Sequence, residues 1–131
     1  MKIRLDIPLT VSEIVSAVGG EYRGKDGVVR FISLDSRKVD ADTLFIALGR
    51  GEDFVFDALV SGYAISAKSA DAILVNDTQK ALLDIAAYYK RRLPLLQKTV
   101  MITGSVGKTT VKDFTAKILE AKYKVHIKWK L

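Results

Sequence analysis

The sequence predicts an α/β protein: a small mixed α/β domain over residues 1–95, then the first strand–loop–helix unit of a parallel sheet over 96–131. Three observations carry this. Short runs rich in β-branched and aromatic residues alternate with apolar stripes at helical spacing. Turn-forming residues separate them. Finally, a small-residue loop, GSVGKTT at 104–110, lies between an apolar run and an amphipathic one.

The elements follow in order. Thr10-Val11-Ser12-Glu13 has capping-box spacing, in which a hydroxyl and a carboxylate satisfy helix-start amides reciprocally. Val11, Ile14, Val15 and Val18 recur at i, i+3, i+4 and i+7, so a helix is expected over 11–18, stopped by Gly19-Gly20. Residues 28–34 (VVRFISL) read as a strand, 35–42 as a turn, and 43–48 (TLFIAL) as a second, buried strand. A short helix is expected over 54–61, ended by Gly62, with short strands at 63–66 and 72–75. A longer helix starts behind Asn76 or Asp77 as N-cap and buries Leu82, Ile85, Ala86 and Tyr89. Pro94 is expected to close it, because the residue before a proline avoids the helical region. Lys90, Arg91 and Arg92 then suit its negative end. Beyond lie a predicted strand at 98–103 (KTVMIT), a loop at 104–108, a helix over 109–120 and a strand at 123–127. By itself that last unit leaves strand edges and a helix face uncovered. The chain is therefore expected to be a truncated part of something larger.

Composition narrows the function. The 131 residues are 49% hydrophobic and 27% charged, an ordinary globular balance. With no cysteine there is neither a disulfide framework nor a thiol nucleophile. The first residues carry Lys2, Arg4 and Asp6 and no apolar run, which argues against a signal peptide; no element is assigned to them. No run approaches the roughly 20 apolar residues that span a bilayer, so no membrane insertion is expected and a cytoplasmic location is. The net charge of +6 suits polyphosphate ligands. Its basic clusters, at 90–92 and 122–130, lack an interleaved aromatic stacking surface, so no nucleic acid is expected as partner.

The loop carries the clearest chemistry. Gly104 and Gly107 permit close backbone approach, loop amides and the following helix start face phosphate oxygens, Lys108 neutralises β/γ charge, and the Thr109 hydroxyl ligates Mg²⁺. The strict Walker pattern asks for glycine where Ile102 stands, so the match is incomplete.

With its neighbours the loop resembles a known family. ITGSVGKTT (102–110) is similar to the T-G-x-x-G-K-T/S-T loop of the Mur ligases, which also lacks the earlier glycine. ISLDSRKVDADTLFIAL (32–48) resembles the segment opening that family's UDP-binding domain. VNDTQKALLDIAAYYKRR (75–92) resembles the helix joining that domain to the ATPase domain. The wording of this helix and of the loop looks most like the MurF branch, with the MurE type the close alternative. The resemblance implies an ATP-dependent, Mg²⁺-requiring amide ligase of peptidoglycan precursor synthesis. It would add D-alanyl-D-alanine to a UDP-N-acetylmuramoyl tripeptide through an acyl phosphate. By position, Gly104, Ser105, Val106, Gly107, Lys108, Thr109 and Thr110 would hold ATP, with Lys108 as the catalytic cation and Thr109 serving the metal. Leu34, Ser36 and Arg37 would meet the UDP moiety; alternatively, Asp35 and Arg37 simply pair across a turn that Ser36 caps.

The sequence also departs from the pattern. ALGRGEDFVFDAL (47–59) passes into its helix without the family's longer loop, and AISAKSADAIL (64–74) looks compressed. His126, the only histidine, has strand-like neighbours and reads as structural. Besides an enzyme part inactive alone, a non-catalytic UDP-sugar-peptide binding module and an unrelated phosphate-loop protein remain open.

Overall fold

A computed structural model describes the backbone of residues 2–103, with side chains described through residue 92. The chain runs β1 (Lys2–Thr10), α1 (Val11–Val18), β2 (Val28–Ser33), β3 (Thr43–Ile46), α2 (Val55–Ser61), β4 (Tyr63–Ser66), β5 (Ile73–Leu74) and α3 (Thr78–Thr103). Two 3₁₀ turns, Ser36–Lys38 and Gly49–Phe54, follow β2 and β3. The five strands form one sheet in sequence order, with β1 antiparallel to β2 and β2 to β5 mutually parallel.

Side-chain alternation along the central strands makes two apolar faces. Leu44 and Ile46 of β3 and Ile65 of β4 point into the larger core, built with Leu9, Ile14, Leu82, Ile85 and Tyr89 from β1, α1 and α3. Phe45, Ala47 and Ala64 point the other way, onto Val55 and Ala58 of α2. Every residue of β3 is buried, as a parallel strand covered on both faces should be. Alanines at 47, 58, 64 and 72 leave room for α2 to lie close to the sheet.

Local signals explain the helix ends. The Thr10 hydroxyl accepts from the Glu13 amide at 3.0 Å, and the Glu13 carboxylate accepts from the Thr10 amide at 3.2 Å, the reciprocal pair of a capping box. Gly19 ends α1 at φ +62°, a left-handed conformation that costs a glycine little. Asp77 accepts from the Gln79 amide at 2.9 Å and so caps α3.

Glu13 also ties α1 to α3, since its carboxylate takes hydrogen bonds from Tyr88 and from Arg92. Partial burial pushes this carboxyl up; hydrogen bonds from Tyr88, Thr10 and Arg92 outweigh that and hold it below its ordinary value. The tie is therefore strongest above the ordinary carboxylate range and is lost on acidification.

Three expectations are corrected. Residues 2–10, given no element, form β1, whose Lys2-Ile3-Arg4-Leu5 alternation faces Ile3 and Leu5 inward. α3 does not stop at Pro94 but continues to Thr103, so 98–103 is helical and not a strand. A proline costs a helix one backbone hydrogen bond and a ring clash with the preceding turn. An unpartnered strand would leave all its backbone groups unpaired, and this segment pairs with none of the five strands. Lys90, Arg91 and Arg92 accordingly sit inside a helix rather than at its end. The expected loop at 104–108, helix at 109–120, strand at 123–127 and His126 lie outside the described residues. Among the described residues, no helix is long and apolar enough to cross a membrane.

Candidate functional site

The parallel strands β2 and β3 end side by side, and the segments leaving them build one cleft. In an open parallel sheet the crevice beyond the carboxyl ends of the strands is where ligands are held. Here it has a volume of about 850 Å³. Leu34, Asp35, Ser36 and Arg37 line it from the β2 side; Leu48, Arg50, Gly51, Phe54 and Asp57 line it from the β3 side, over a floor that includes Phe45. All three residues expected to meet a UDP group, Leu34, Ser36 and Arg37, are thus brought together. Arg50, Phe54 and Asp57 were not anticipated.

The β2 side is pre-shaped by short hydrogen bonds. The buried Ser33 hydroxyl donates to the Asp35 carbonyl at 2.8 Å and accepts from the Asp35 amide at 3.0 Å, which fixes the bend at Leu34. Asp35 Oδ1 accepts from the Arg37 amide at 3.0 Å, capping the 3₁₀ turn. The same carboxylate receives the Arg37 guanidinium through two further bonds, Nε to Oδ1 and Nη2 to Oδ2, both 3.0 Å. Asp35, rather than Ser36, is therefore the cap. The Ser36 hydroxyl is half-buried at the cleft and makes no hydrogen bond among the described residues.

These bonds leave a mark on Asp35. The side-chain hydrogen bond from Arg37, then the Arg37 amide, lower its carboxyl from 3.8 to about 2. A depressed carboxyl contributes stability above its unfolded value and loses it as pH falls through its folded value. The turn should accordingly keep its shape from neutral pH down to about 4 and loosen between 3.8 and about 2. A carboxyl-detected NMR titration is expected to place the Asp35 midpoint near 2, moving back toward 3.8 in Arg37→Ala. A wild-type midpoint at 3.8 would remove the pair from solution. The Arg37 side chain is 87% exposed, so the pair orders the turn more than it stabilises the fold.

The β3 side is held by Glu52. Its carboxylate accepts from the buried Ser66 hydroxyl at 2.7 Å and from the Ala67 amide at 3.0 Å, pinning the 3₁₀ turn to the end of β4. Ser66 in turn accepts from the amides of Lys68 and Ser69, each at 3.0 Å. Gly51 lies so close to Phe45 that a Cβ there would come within 3.3 Å of the ring, tighter than side chains ordinarily pack. Asp35 already compensates Arg37, whereas Arg50 has no ion pair among the described residues. Among the described residues the cleft thus presents a guanidinium (Arg50) and a carboxylate (Asp57) without ion pairs, a hydroxyl without a hydrogen bond and an apolar wall.

No group of three or more His, Asp or Glu side chains converges as metal ligands among the described residues. The expected ATP-binding residues, Gly104, Ser105, Val106, Gly107, Lys108, Thr109 and Thr110, lie outside them, as does the proposed metal contact at Thr109.

Comparison with known proteins places this architecture. No protein-family model matches the chain. It is 33% identical over 124 residues to the UDP-N-acetylmuramoyl-tripeptide–D-alanyl-D-alanine ligase of Escherichia coli K12, covering 86% of this chain and 27% of that protein. It is 36% identical over 123 residues to the same-named ligase of Buchnera aphidicola, with 86% and 27% covered. A UDP-N-acetylmuramoyl-L-alanyl-D-glutamate–L-lysine ligase of Streptococcus pyogenes serotype M1 matches at 33% over 121 residues, covering 86% of this chain and 25% of the relative. The chain spans about a quarter of the length of the curated relatives it matches. Over that quarter the chain is similar to the Mur ligases.

Proposed function

We propose that this chain supplies the UDP-substrate-binding part of an ATP-dependent amide ligase of peptidoglycan precursor synthesis. The observation that carries the reading is the convergence of Leu34, Ser36 and Arg37 with Arg50 in one cleft at the carboxyl ends of β2 and β3. A half-buried, unbonded hydroxyl suits the polar edge of a uracil. Arg50, without an ion pair among the described residues, suits a diphosphate, to which a guanidinium can offer two parallel donors.

In the full reaction a UDP-N-acetylmuramoyl tripeptide carboxylate attacks the γ-phosphorus of ATP, giving an acyl phosphate and ADP. The amine of D-alanyl-D-alanine then displaces phosphate and forms the amide. ATP would lie on residues 104–110, with Lys108 against its phosphates and Mg²⁺ on Thr109. Relatives named for D-alanyl-D-alanine addition favour that acceptor. Relatives named for L-lysine addition keep the MurE-type reaction as the second reading. Both readings use the same cleft. A cytoplasmic location follows from the nucleotide substrates, and the +6 charge steers both anions inward.

Joining carboxylate, γ-phosphate, metal and amine needs all four held together. Binding rather than turnover is therefore expected of the 131-residue chain. Calorimetric titration with UDP-N-acetylmuramoyl tripeptide should saturate at one site. Ser36→Ala and Arg50→Ala should each weaken it by roughly 5- to 50-fold, the scale of a hydrogen bond or a charge-assisted one. Lys108→Ala should spare this ligand and abolish Mg-ATP binding. Unchanged affinity in both cleft variants would move the substrate site elsewhere.

A further inference from the structure

We propose that Phe54 is the base-stacking residue of the cleft and sets its preference for a nucleotide over a sugar phosphate or free diphosphate. This rests on the reading of the cleft as a nucleotide site. Among the large hydrophobic residues left exposed, Phe54 at 48% is the one that lines the cleft; Val28, Phe56 and Val60 do not. It belongs to neither apolar core. An aromatic ring kept at a cleft wall, outside the cores, is available to a ligand with a flat apolar face.

The surroundings hold that ring in place. Phe54 ends the 3₁₀ turn that Glu52 fastens to β4, and the next residue, Val55, is 2% exposed in the core beneath α2. The backbone on both sides is thus anchored, so little ordering remains to be done when a ring stacks on it. Leu48 on the same side and Leu34 across the cleft add apolar lining, and Ser36, Arg50 and Asp57 add polar lining. Such a mixed lining fits a molecule that carries both a planar base and an anion. Arg50 and Phe54 lie on the same turn, so a single rigid segment would read both.

The test uses the complete 131-residue chain with UDP, and with inorganic pyrophosphate as a ligand that has the anion and no base. Phe54→Ala is expected to weaken UDP roughly 5- to 100-fold, the span that base–aromatic stacking covers, and to leave pyrophosphate affinity unchanged. Phe54→Trp should hold UDP within a few-fold of wild type. Its fluorescence, taken as the difference from a wild-type chain carrying only Trp129, should be quenched by UDP and not by pyrophosphate. The Phe54 side chain is half exposed, so both variants should keep the wild-type melting temperature within a few degrees. If wild type binds UDP and Phe54→Ala binds it equally well, stacking is overturned and the cleft assignment stands. Equal losses for UDP and pyrophosphate would also overturn it. If wild type binds neither UDP nor the UDP-peptide, both assignments fall together.

Discussion

Replacing Tyr89 by alanine is expected to cost about 3–5 kcal/mol, the range for truncating a buried aromatic side chain. Tyr89 is 1% exposed and is among the largest fully buried side chains. It stands where α3 crosses the sheet, and its hydroxyl accepts from the Asp6 amide of β1 at 2.8 Å. Truncation therefore opens a cavity between helix and sheet and removes the partner of a strand amide. For a small domain, whose whole stability is about 5–15 kcal/mol, the melting temperature should fall by roughly 15 °C or more. Tyr89→Phe separates the two contributions, since it keeps the packing and loses the hydroxyl. It should cost about 1–2 kcal/mol, the penalty for an orphaned donor. Chemical denaturation of the three chains checks this. A Tyr89→Phe loss as large as the alanine loss would mean that the hydroxyl, and not the ring, anchors α3.

Phe45→Ala is expected to be comparably damaging, at about 3–5 kcal/mol, and to act on the cleft as well. Phe45 is 1% exposed and fills the space between the sheet and α2, where its other neighbours are mostly alanines. The same ring touches the cleft floor and supports Gly51 of the 3₁₀ turn. Substrate affinity should consequently fall more than the folded fraction alone explains. Phe45→Leu keeps most of the volume and should cost less than about 1.5 kcal/mol, with affinity largely retained. Equilibrium unfolding and calorimetric titration on the same preparations separate the effects. Normal affinity in a folded Phe45→Ala chain would detach the cleft from this core.

Much of the fold was legible because local signals and tertiary packing agree. The capping box at Thr10 and Glu13, the stop at Gly19 and the β-branched runs of β2 and β3 each name their element. β1 was written equally clearly, since Lys2 to Ile7 alternates polar and apolar residues one by one. What the alternation alone does not give is its partner, the antiparallel pairing with β2. The overrun of α3 past Pro94 was not legible, because a proline removes a backbone hydrogen bond and its ring crowds the preceding turn, a strong local stop signal.

The cleft divides in the same way. Leu34, Ser36 and Arg37 were found through a family motif, and the structure gathers them. Arg50, Phe54 and Asp57 lie 13 or more residues further on, and no spacing rule links them to LDSR. What joins them is the parallel pairing of β2 with β3, which sets the two departing segments side by side. That rule was available from the topology, once both strands were assigned. Glu52 shows a further limit: its role depends on Ser66, 14 residues away on another strand, and only the fold creates that contact.

The central claim is that the cleft beyond β2 and β3 holds the UDP end of the substrate. Backbone amide NMR of the 131-residue chain, titrated with UDP-N-acetylmuramoyl tripeptide, tests it most directly. The account predicts saturable shifts concentrated at residues 34–38 and 48–57, with the Arg50→Ala titration displaced to higher concentration. Shifts confined to the opposite face, around α1 and the start of α3, or no saturable shifts at all, would contradict it.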